Sequence, residues 1–219
     1  MSDKLTLYLN DITVNSIKIE LLVNALNIQP KIESIALNKG QHKTASFEKL
    51  NPVAKVPVLV EGDFNLTESN AILHFLAARD GKMWPISQEL QAQTLMWMFW
   101  QAGGWGSALG SFVHPRVVLP HWGFPSTTTV AESTLDVFHQ QANVLNQRLK
   151  GKKALVDNRY GISDICLGSY LIFAEEASIP LERYAHILAW LQGLQTTPWW
   201  VKTKRALNER LNVRENASP

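Results

Sequence analysis

The stretch from Asn51 to Leu76, NPVAKVPVLVEGDFNLTESNAILHFL, constrains the fold more than any other part of the chain. Its apolar run Val56–Val60 predicts a short strand, and Glu61–Asp63 predicts a tight turn into a second strand. A helix then opens at Thr67–Ser69, because hydroxyl and acidic residues favour helix starts and apolar side chains follow at helical spacing. The stretch therefore predicts two antiparallel strands followed by a helix.

The same stretch predicts a binding pocket. Pro57 lacks an N–H group and suits the start of an edge strand or a tight turn, and the bond before a proline is where a cis peptide is least costly. Near Glu68 and Ser69, the free N–H groups and the positive end of the helix dipole favour an anion. The backbone edge at Val56 can pair with an extended peptide. These features predict a small, charged, peptide-like ligand.

The first 80 residues alternate strand and helix patterns, and the last strand pair is joined by a tight turn. Before the hairpin, the predicted elements are strands at Leu5–Leu9 and Lys31–Ala36 and helices at Ser16–Leu26 and Thr44–Leu50. The order βαβαββα indicates a mixed four-stranded sheet with helices on both faces.

Residues 81–88 contain Gly, Pro and charged residues and are interpreted as a linker, after which no strand pattern appears. Glu89–Phe112 predicts a long helix interrupted near Gly103, and His114–Thr128 predicts a loop with at most a short helical piece. Asp164, three residues after Gly161, predicts a capping box at the start of a later helix. Further helices are predicted at Ala131–Leu149, Tyr184–Gln195 and Trp199–Arg210.

Composition limits the partners. The net charge of +2 does not point to nucleic acid, and no apolar window is long enough to span a bilayer. The single cysteine, Cys166, excludes an intrachain disulfide framework and fits a reducing compartment. The start of the chain shows no signal-peptide pattern. We expect a cytoplasmic protein with no membrane or nucleic-acid partner, and no metal site, because the six histidines are scattered.

The pattern NP-x-x-KVPVL…TESNAILHFLA resembles the glutathione-binding half of the cytosolic glutathione S-transferases, and the element order extends the resemblance over essentially the whole chain. The resemblance implies a thioredoxin-like domain at residues 1–80, a linker at 81–88 and an all-α domain at 89–219 that carries the acceptor pocket. It also implies glutathione as cosubstrate and a homodimer.

The resemblance places the group that contacts the glutathione sulfur in the loop Asn10–Ser16, which contains no cysteine. Thr13 matches the position of the catalytic Ser in the serine-type classes. The spacing Thr13-x-Asn15-x-x-Lys18 resembles the nu-class enzymes of bacteria, and it implies hydrogen bonds from Thr13 and Asn15 to the sulfur. Ser16 is a third candidate, and for all three the alternative role is helix capping.

The resemblance also implies the contacts to the rest of glutathione. Glu68 would bind the γ-glutamyl amine, Ser69 the adjacent carboxylate, and the backbone of Val56, next to Pro57, the cysteinyl part. For the glycine carboxylate the candidates are His42 and Lys55. The alternatives are a solvated loop histidine and an ordinary surface lysine.

Aromatic residues near the Gly-rich interruption suggest an apolar acceptor pocket, with Trp105 and Phe112 as the main candidates beside Trp100 and, further on, Trp122. Core packing also explains aromatic residues at helical spacing. The resemblance implies a transferase that adds the glutathione thiolate to an apolar electrophile. Two alternatives remain: glutathione-dependent disulfide reduction or peroxide reduction, and a binding module without turnover.

Overall fold

The computed structural model describes residues 5–127 and 129–215; residues 1–4, 128 and 216–219, which the predicted domains include, lie outside that part. The first half has the predicted order βαβαββα. Its elements are β1 (Thr6–Leu9), α1 (Val14–Leu26), β2 (Lys31–Ser34), α2 (Ala45–Leu50), β3 (Val58–Glu61), β4 (Phe64–Thr67) and α3 (Ser69–Asp80).

The four strands form one mixed sheet in the order β2-β1-β3-β4. β1 runs parallel to β2 and antiparallel to β3, and β3 and β4 form the predicted hairpin, with Val58 opposite Thr67. Gly62 closes the hairpin with φ 60°, a conformation that glycine adopts without strain. The predicted thioredoxin-like sheet is confirmed.

Helices cover both faces of this sheet, as the alternation of side chains in β1 requires. Leu7 and Leu9 are buried in the core that includes residues of α1 and α3. Tyr8 points to the opposite face, where its ring centroid lies 6.2 Å from that of Phe47 in α2. The sheet is therefore a middle layer.

The second half contains helices and no strand among the residues that the structure describes. Its helices are α4 (Gln88–Trp100), α5 (Gly106–Val113), α6 (Leu119–His121), α7 (Glu132–Leu149), α8 (Ile162–Gly168), α9 (Ala185–Gln195) and α10 (Pro198–Glu215). A π-helical turn, Gln101–Trp105, separates α4 from α5 at the predicted interruption.

The predicted loop at His114–Thr128 is wrong for its first half. A second π-helical turn, His114–Val118, continues α5 into α6, and helical backbone extends to His121. Pro115 and Pro120 each lie at the first or second position of their own helical piece. A π-helical turn interrupts the regular hydrogen-bond pattern of the α-helix, and it accommodates prolines because they have no N–H group to donate.

Helix α1 joins the two halves. It packs on α3 in its own domain and on α8 and α10 in the helical domain. At the rim, Arg210 donates two hydrogen bonds, of 2.8 and 2.9 Å, to the carboxylate of Glu20. The Nδ2 of Asn24 donates to the hydroxyl of Thr203 at 2.8 Å. The position of α1 is therefore determined by both domains.

Asp164 confirms the predicted cap of α8. Its carboxylate accepts from the backbone N–H of Gly161 at 3.0 Å, the N–H of Leu155 at 2.9 Å and the indole N–H of Trp190 at 2.8 Å. Asp164 is fully buried, and burial raises its pKa from 3.8 to about 6 against the opposing effect of these hydrogen bonds. One carboxylate thus ties the loop before α8, its start and α9 together.

We expect Asp164→Ala to lower the free energy of unfolding by about 3 kcal/mol, because it leaves buried donors without an acceptor. Chemical denaturation of the two proteins measures this loss. Asp136→Ala is the matched control, since Asp136 is exposed on α7, and we expect it to change stability by less than about 0.5 kcal/mol. A loss at Asp164 no larger than that of the control would contradict the prediction.

Candidate functional site

The loop after β1 is held by Asn10. Its Oδ1 accepts from the backbone N–H groups of Ile12 and Thr13, both at 3.2 Å, and its Nδ2 donates to the carbonyl of Ile35 at 2.9 Å. The backbone N–H of Asn10 donates to the hydroxyl of Ser16 at 2.9 Å. These bonds fix the turn that leads into α1.

The three loop candidates differ in exposure. Ser16 is fully buried, and its Oγ accepts from the backbone of Asn10 and from the hydroxyl of Thr13 at 3.0 Å. Thr13 is the residue before α1 and is half-buried, whereas Asn15 is exposed in the first turn. Ser16 therefore supports the loop from inside, and Thr13 and Asn15 face outward.

The hairpin that carries the predicted peptide-binding edge begins at a cis peptide bond between Val56 and Pro57. Asn51, which the sequence pattern contains but to which no role was assigned, holds the loop before it. The Nδ2 of Asn51 donates to the carbonyl of Lys55 at 2.7 Å, and its Oδ1 accepts from Val53 at 3.1 Å. Among the described residues the backbone of Val56 forms no hydrogen bond, so this edge is open.

The start of α3 brings two predicted regions together. The hydroxyl of Ser69 donates to Oδ1 of Asn15 at 3.2 Å, across from the loop after β1. Glu68, the residue before α3, is exposed and has φ 67° and ψ 114°, with no side-chain hydrogen bond to the helix start. Backbone strain of this kind in a residue other than glycine is typical of functional sites.

A buried polar cluster lies beneath Ser69, and the sequence analysis missed it. The Nζ of Lys18 donates to Oγ of Ser69 at 3.2 Å, Oδ1 of Asn70 at 2.9 Å and Oε1 of Gln101 at 3.5 Å. The thiol of Cys166 donates to the same two amide oxygens, at 3.2 and 3.3 Å. Burial lowers the pKa of Lys18 and raises the pKa of Cys166. The cluster joins α1, α3, α8 and the π-helical turn.

Gly106 keeps room for this cluster. A Cβ atom at Gly106 would lie 2.6 Å from Nε2 of Gln101 and 3.1 Å from its carbonyl oxygen. The glycine therefore lets the side chain of Gln101 reach Lys18. The sequence contained a signal for both residues, because Lys18 ends the Thr-x-Asn-x-x-Lys spacing and Gln101 comes two residues before the Gly pair.

His42 and Lys55 are not joined to this cluster by any hydrogen bond in the described part of the chain. His42 lies in a short 3₁₀ turn, Gln41–Lys43, and its Nδ1 is buried without a hydrogen-bond partner among those residues. The side chain of Lys55 is exposed next to the cis bond. Their role toward a ligand stays a prediction.

Trp105 and Phe112 lie in the core of the helical domain instead of on the wall of an open pocket. Trp105 is 0% exposed, donates its indole N–H to the carbonyl of Leu167 at 3.0 Å, and stacks on Trp100 and Phe138. Phe112 is 1% exposed, with its ring 5.3 Å from that of Phe138. Their apolar spacing reflects core packing, which corrects the expected position of the acceptor pocket.

A contact between the domains brings a different aromatic residue near the loop. The Nε2 of His121, at the end of α6, lies 3.3 Å from a carboxylate oxygen of Asp11 in the loop after β1. Trp122 follows directly and is half-buried. The end of α6 therefore contacts the loop that contains Thr13.

Two classes of function find no support in the described residues. No group of three or more His, Cys, Asp or Glu side chains there is arranged to hold a metal ion. None of the described helices combines the length and the apolar character that crossing a membrane requires.

Comparison with known proteins agrees with this architecture. A model of the glutathione S-transferase N-terminal domain matches residues 3–78. The chain is 28% identical to the disulfide-bond oxidoreductase YfcG of Escherichia coli over 193 residues, covering 85% of this chain and 88% of that protein. It is 30% identical to a glutathione S-transferase domain-containing protein of Dictyostelium discoideum over 197 residues, covering 82% and 73%.

A solved structure of a glutathione S-transferase from Pseudomonas fluorescens superposes with a TM-score of 0.77 at 29% identity, covering 89% of this chain and 96% of that one. The similarity therefore includes the helical domain as well as the sheet.

The positive φ of Glu68 predicts that a glycine variant at this position is more stable than an alanine variant. We expect Glu68→Gly to unfold with a free energy about 1 kcal/mol higher than Glu68→Ala, because only glycine adopts a positive φ without strain. The same pair of substitutions at Glu89, exposed in the first turn of α4, is the control. There alanine should be the more stable by about 1 kcal/mol. Denaturant unfolding that ranks alanine above glycine at both positions would contradict the assigned backbone.

Proposed function

Because this chain belongs to the glutathione S-transferase family, we propose that it binds glutathione and holds its sulfur as a thiolate that attacks an apolar electrophile. One observation carries the proposal. The 3.2 Å hydrogen bond between Ser69 and Asn15 places the predicted carboxylate-binding and sulfur-binding regions side by side. A ligand that spans them needs an anionic end and a thiol a few bonds apart, as glutathione has.

The binding frame follows from the groups at this edge of the sheet. The open backbone at Val56, beside the cis bond to Pro57, pairs with the cysteinyl part of glutathione. The N–H and hydroxyl of Ser69 bind the γ-glutamyl carboxylate at the positive end of α3. The exposed carboxylate of Glu68 binds the γ-glutamyl amine.

His42 and Lys55 are proposed partners of the glycine carboxylate. Both lie outside the hydrogen-bonded cluster around Ser69, and both come before the cis bond in the sequence. A positive charge at this place would attract the glycine carboxylate, and the exposed ammonium of Lys55 lies directly next to the binding edge. The orphaned Nδ1 of His42 offers a second polar contact.

Thr13 and Asn15 stabilise the thiolate by hydrogen bonds. The Nδ2 of Asn15 donates to no group among the described residues, so it is free to donate to sulfur. The hydroxyl of Thr13 can turn from Ser16 toward the ligand. Neither side chain is a base near neutral pH, so both lower the pKa of the bound thiol by solvating its charged form. Ser16 is buried and acts only as a support.

The acceptor binds next to the end of α6. The contact between His121 and Asp11 attaches this segment to the loop that holds Thr13, and the half-buried ring of Trp122 offers an apolar surface there. This assignment replaces Trp105 and Phe112, whose rings are enclosed in the core. In the transfer step a carbon–sulfur bond forms, and the leaving group departs with its bonding electrons.

Disulfide reduction is the second candidate, favoured by the similarity to a disulfide-bond oxidoreductase. The glutathione thiolate would attack one sulfur of a small disulfide, breaking the sulfur–sulfur bond and releasing a thiolate. The thiolate of a second glutathione would then attack the glutathione sulfur of the mixed disulfide, forming glutathione disulfide and releasing the other half of the substrate as a thiolate. Cys166, the single cysteine, is fully buried, so this reaction would use only thiols of glutathione. Peroxide reduction and a binding module without turnover are the remaining outcomes of the assays.

The compartment and the assembly are also proposals. A single, buried, free cysteine fits the reducing cytoplasm. Homodimer formation would cover apolar side chains that the chain leaves exposed on both domains. These are Phe64 in β4, 43% exposed, and Met96 and Phe99 in α4, 53% and 74% exposed. Exposed apolar side chains of this size in a stable protein favour an interface.

We expect Thr13→Ala and Asn15→Ala each to raise the pKa of bound glutathione and to lower kcat/KM about 100-fold, the effect of removing one donor to a developing anion. Ultraviolet absorbance of the thiolate, recorded against pH, measures the pKa. Rates are measured with a chloronitrobenzene, a small disulfide and a hydroperoxide. Asn208→Ala, exposed on α10, is the control and should change neither quantity.

The assays separate the functions. Turnover of the chloronitrobenzene supports the transferase, and turnover of the disulfide alone supports the reductase. Retention on glutathione resin without turnover of any substrate would leave a binding module. If both loop variants kept the wild-type thiol pKa and rate, Thr13 and Asn15 would not be the sulfur contacts.

For the assembly, we expect the wild-type chain to sediment as a dimer and Phe99→Lys to shift it toward monomers, because a buried lysine lacks a partner in an apolar interface. Lys202→Ala, a change of an exposed residue on α10, should leave the dimer intact. A wild-type chain that sediments as a monomer at micromolar concentration would contradict the homodimer.

A further inference from the structure

The ammonium group of Lys18 is buried beneath the start of α3 without an ion-pair partner. The residue is 1% exposed, yet its three nearest hydrogen-bond partners, Ser69, Asn70 and Gln101, are all uncharged. Within the described residues no carboxylate forms a salt bridge with it. Lysine side chains this deeply buried are normally paired with a negative charge.

The hydrogen bonds favour the charged form of Lys18 and oppose the effect of burial, which lowers its pKa. The hydroxyl proton of Ser69 is donated to Asn15, so the oxygen of Ser69 accepts from Lys18. The amide oxygens of Asn70 and Gln101 can only accept. Three acceptors around one nitrogen require three N–H groups, and only the ammonium form has them.

Within the described residues no carboxylate forms an ion pair with this charge, although the neighbouring Cys166 raises the pKa of Lys18 against the effect of burial. Cys166, from α8, is a fully buried thiol that donates its proton to the amide oxygens of Asn70 and Gln101. Glu68 is the one carboxylate whose charge acts on Lys18 to a noticeable degree, and it is exposed at the helix start. The positive charge therefore acts mainly toward the site above Ser69.

We propose that Lys18 is a positioning residue that supplies the counter-charge for the α-carboxylate of the γ-glutamyl group, acting through Ser69. The inference rests on the proposed binding of glutathione and adds the residue that selects for that carboxylate. A carboxylate that replaces the amide oxygen of Asn15 as the acceptor of the Ser69 hydroxyl lies within about 6 Å of Nζ, since the Lys18–Ser69 bond is 3.2 Å and a charge-assisted bond to an oxyanion adds about 2.7 Å.

Burial makes this through-hydroxyl contact effective. Water does not reach Lys18, so its charge is screened less than that of an exposed lysine. The ammonium also holds the oxygen of Ser69 and polarises its O–H toward an acceptor. A ligand without the α-carboxylate would leave the ammonium as unpaired as it is in the free protein.

The test combines one protein change with one ligand change. Wild-type and Lys18→Met proteins are titrated by calorimetry with glutathione and with 4-aminobutyryl-cysteinylglycine, which lacks only the γ-glutamyl α-carboxylate. We expect Lys18→Met to weaken glutathione binding by at least about tenfold and the binding of the analogue by less than about twofold. A residue that merely supports the fold would weaken both ligands equally, and that result would overturn the proposal.

Lys204→Met is the matched control. Lys204 lies on α10 and is bonded to Glu176 and the carbonyl of Ile172, away from the site, so both ligands should bind it as they bind the wild type. If Lys18→Met does not fold, the wild-type chain carries the test by ¹⁵N NMR of the lysine ammonium groups. The Lys18 resonance should shift with glutathione and not with the analogue; a shift with both ligands, or with neither, would overturn the proposal.

Glutathione binding by the wild-type chain distinguishes a wrong function from a wrong role of Lys18. If the wild-type chain does not bind glutathione, the proposed function is wrong and the role of Lys18 falls with it. If the wild-type chain binds glutathione and Lys18→Met binds it equally well, only the role of Lys18 is wrong.

Discussion

The hydrogen bonds of one buried ammonium group tie the two domains of this protein together at the site. Lys18 lies on α1, the helix that packs against both domains. It donates to Ser69 and Asn70 of the sheet domain and to Gln101 of the helical domain. Other contacts between the two domains support these hydrogen bonds. The bonds from Glu20 and Asn24 to α10 hold α1 in place, and Gly106 leaves the space that Gln101 occupies. Burying an ammonium is unfavourable unless its hydrogen bonds are satisfied, so these groups must stay together.

The candidate site lies at the surface directly above this buried cluster and depends on it. Ser69 takes part in both, since it accepts from Lys18 below and donates to Asn15 above. The loop after β1 is held by Asn10 and Ser16, and the hairpin edge by Asn51, so the outward-facing groups are fixed before a ligand arrives. With the backbone held in this way, only the hydroxyl groups of Thr13 and Ser69 have to turn for their protons to reach a ligand. In contrast to the rest of the site, the backbone of Glu68 is strained, and this is the position where the ligand amine is proposed to bind.

The sequence predicted the elements whose signals are local. Strand alternation, the Gly62 turn and the Asp164 cap each depend on a few neighbouring residues, and all three are found. It failed where one pattern has two structural outcomes. Trp105 and Phe112 are spaced for a helix face, and spacing alone does not separate a core face from a pocket wall. The prolines after His114 suggested a loop, but the π-helical turn there accommodates them. Lys18 was missed as a buried residue because its partners come from positions far apart in the chain.

The central claim is that the loop after β1 and the start of α3 hold the two ends of one glutathione molecule. A crystal structure of the chain with glutathione tests it most directly, through the distances from the sulfur and from the γ-glutamyl carboxylate to the protein. We expect the sulfur within hydrogen-bond distance of the Thr13 hydroxyl or the Asn15 amide nitrogen, and the carboxylate on Ser69 above Lys18. Glutathione bound elsewhere, or a sulfur that contacts neither Thr13 nor Asn15, would contradict it.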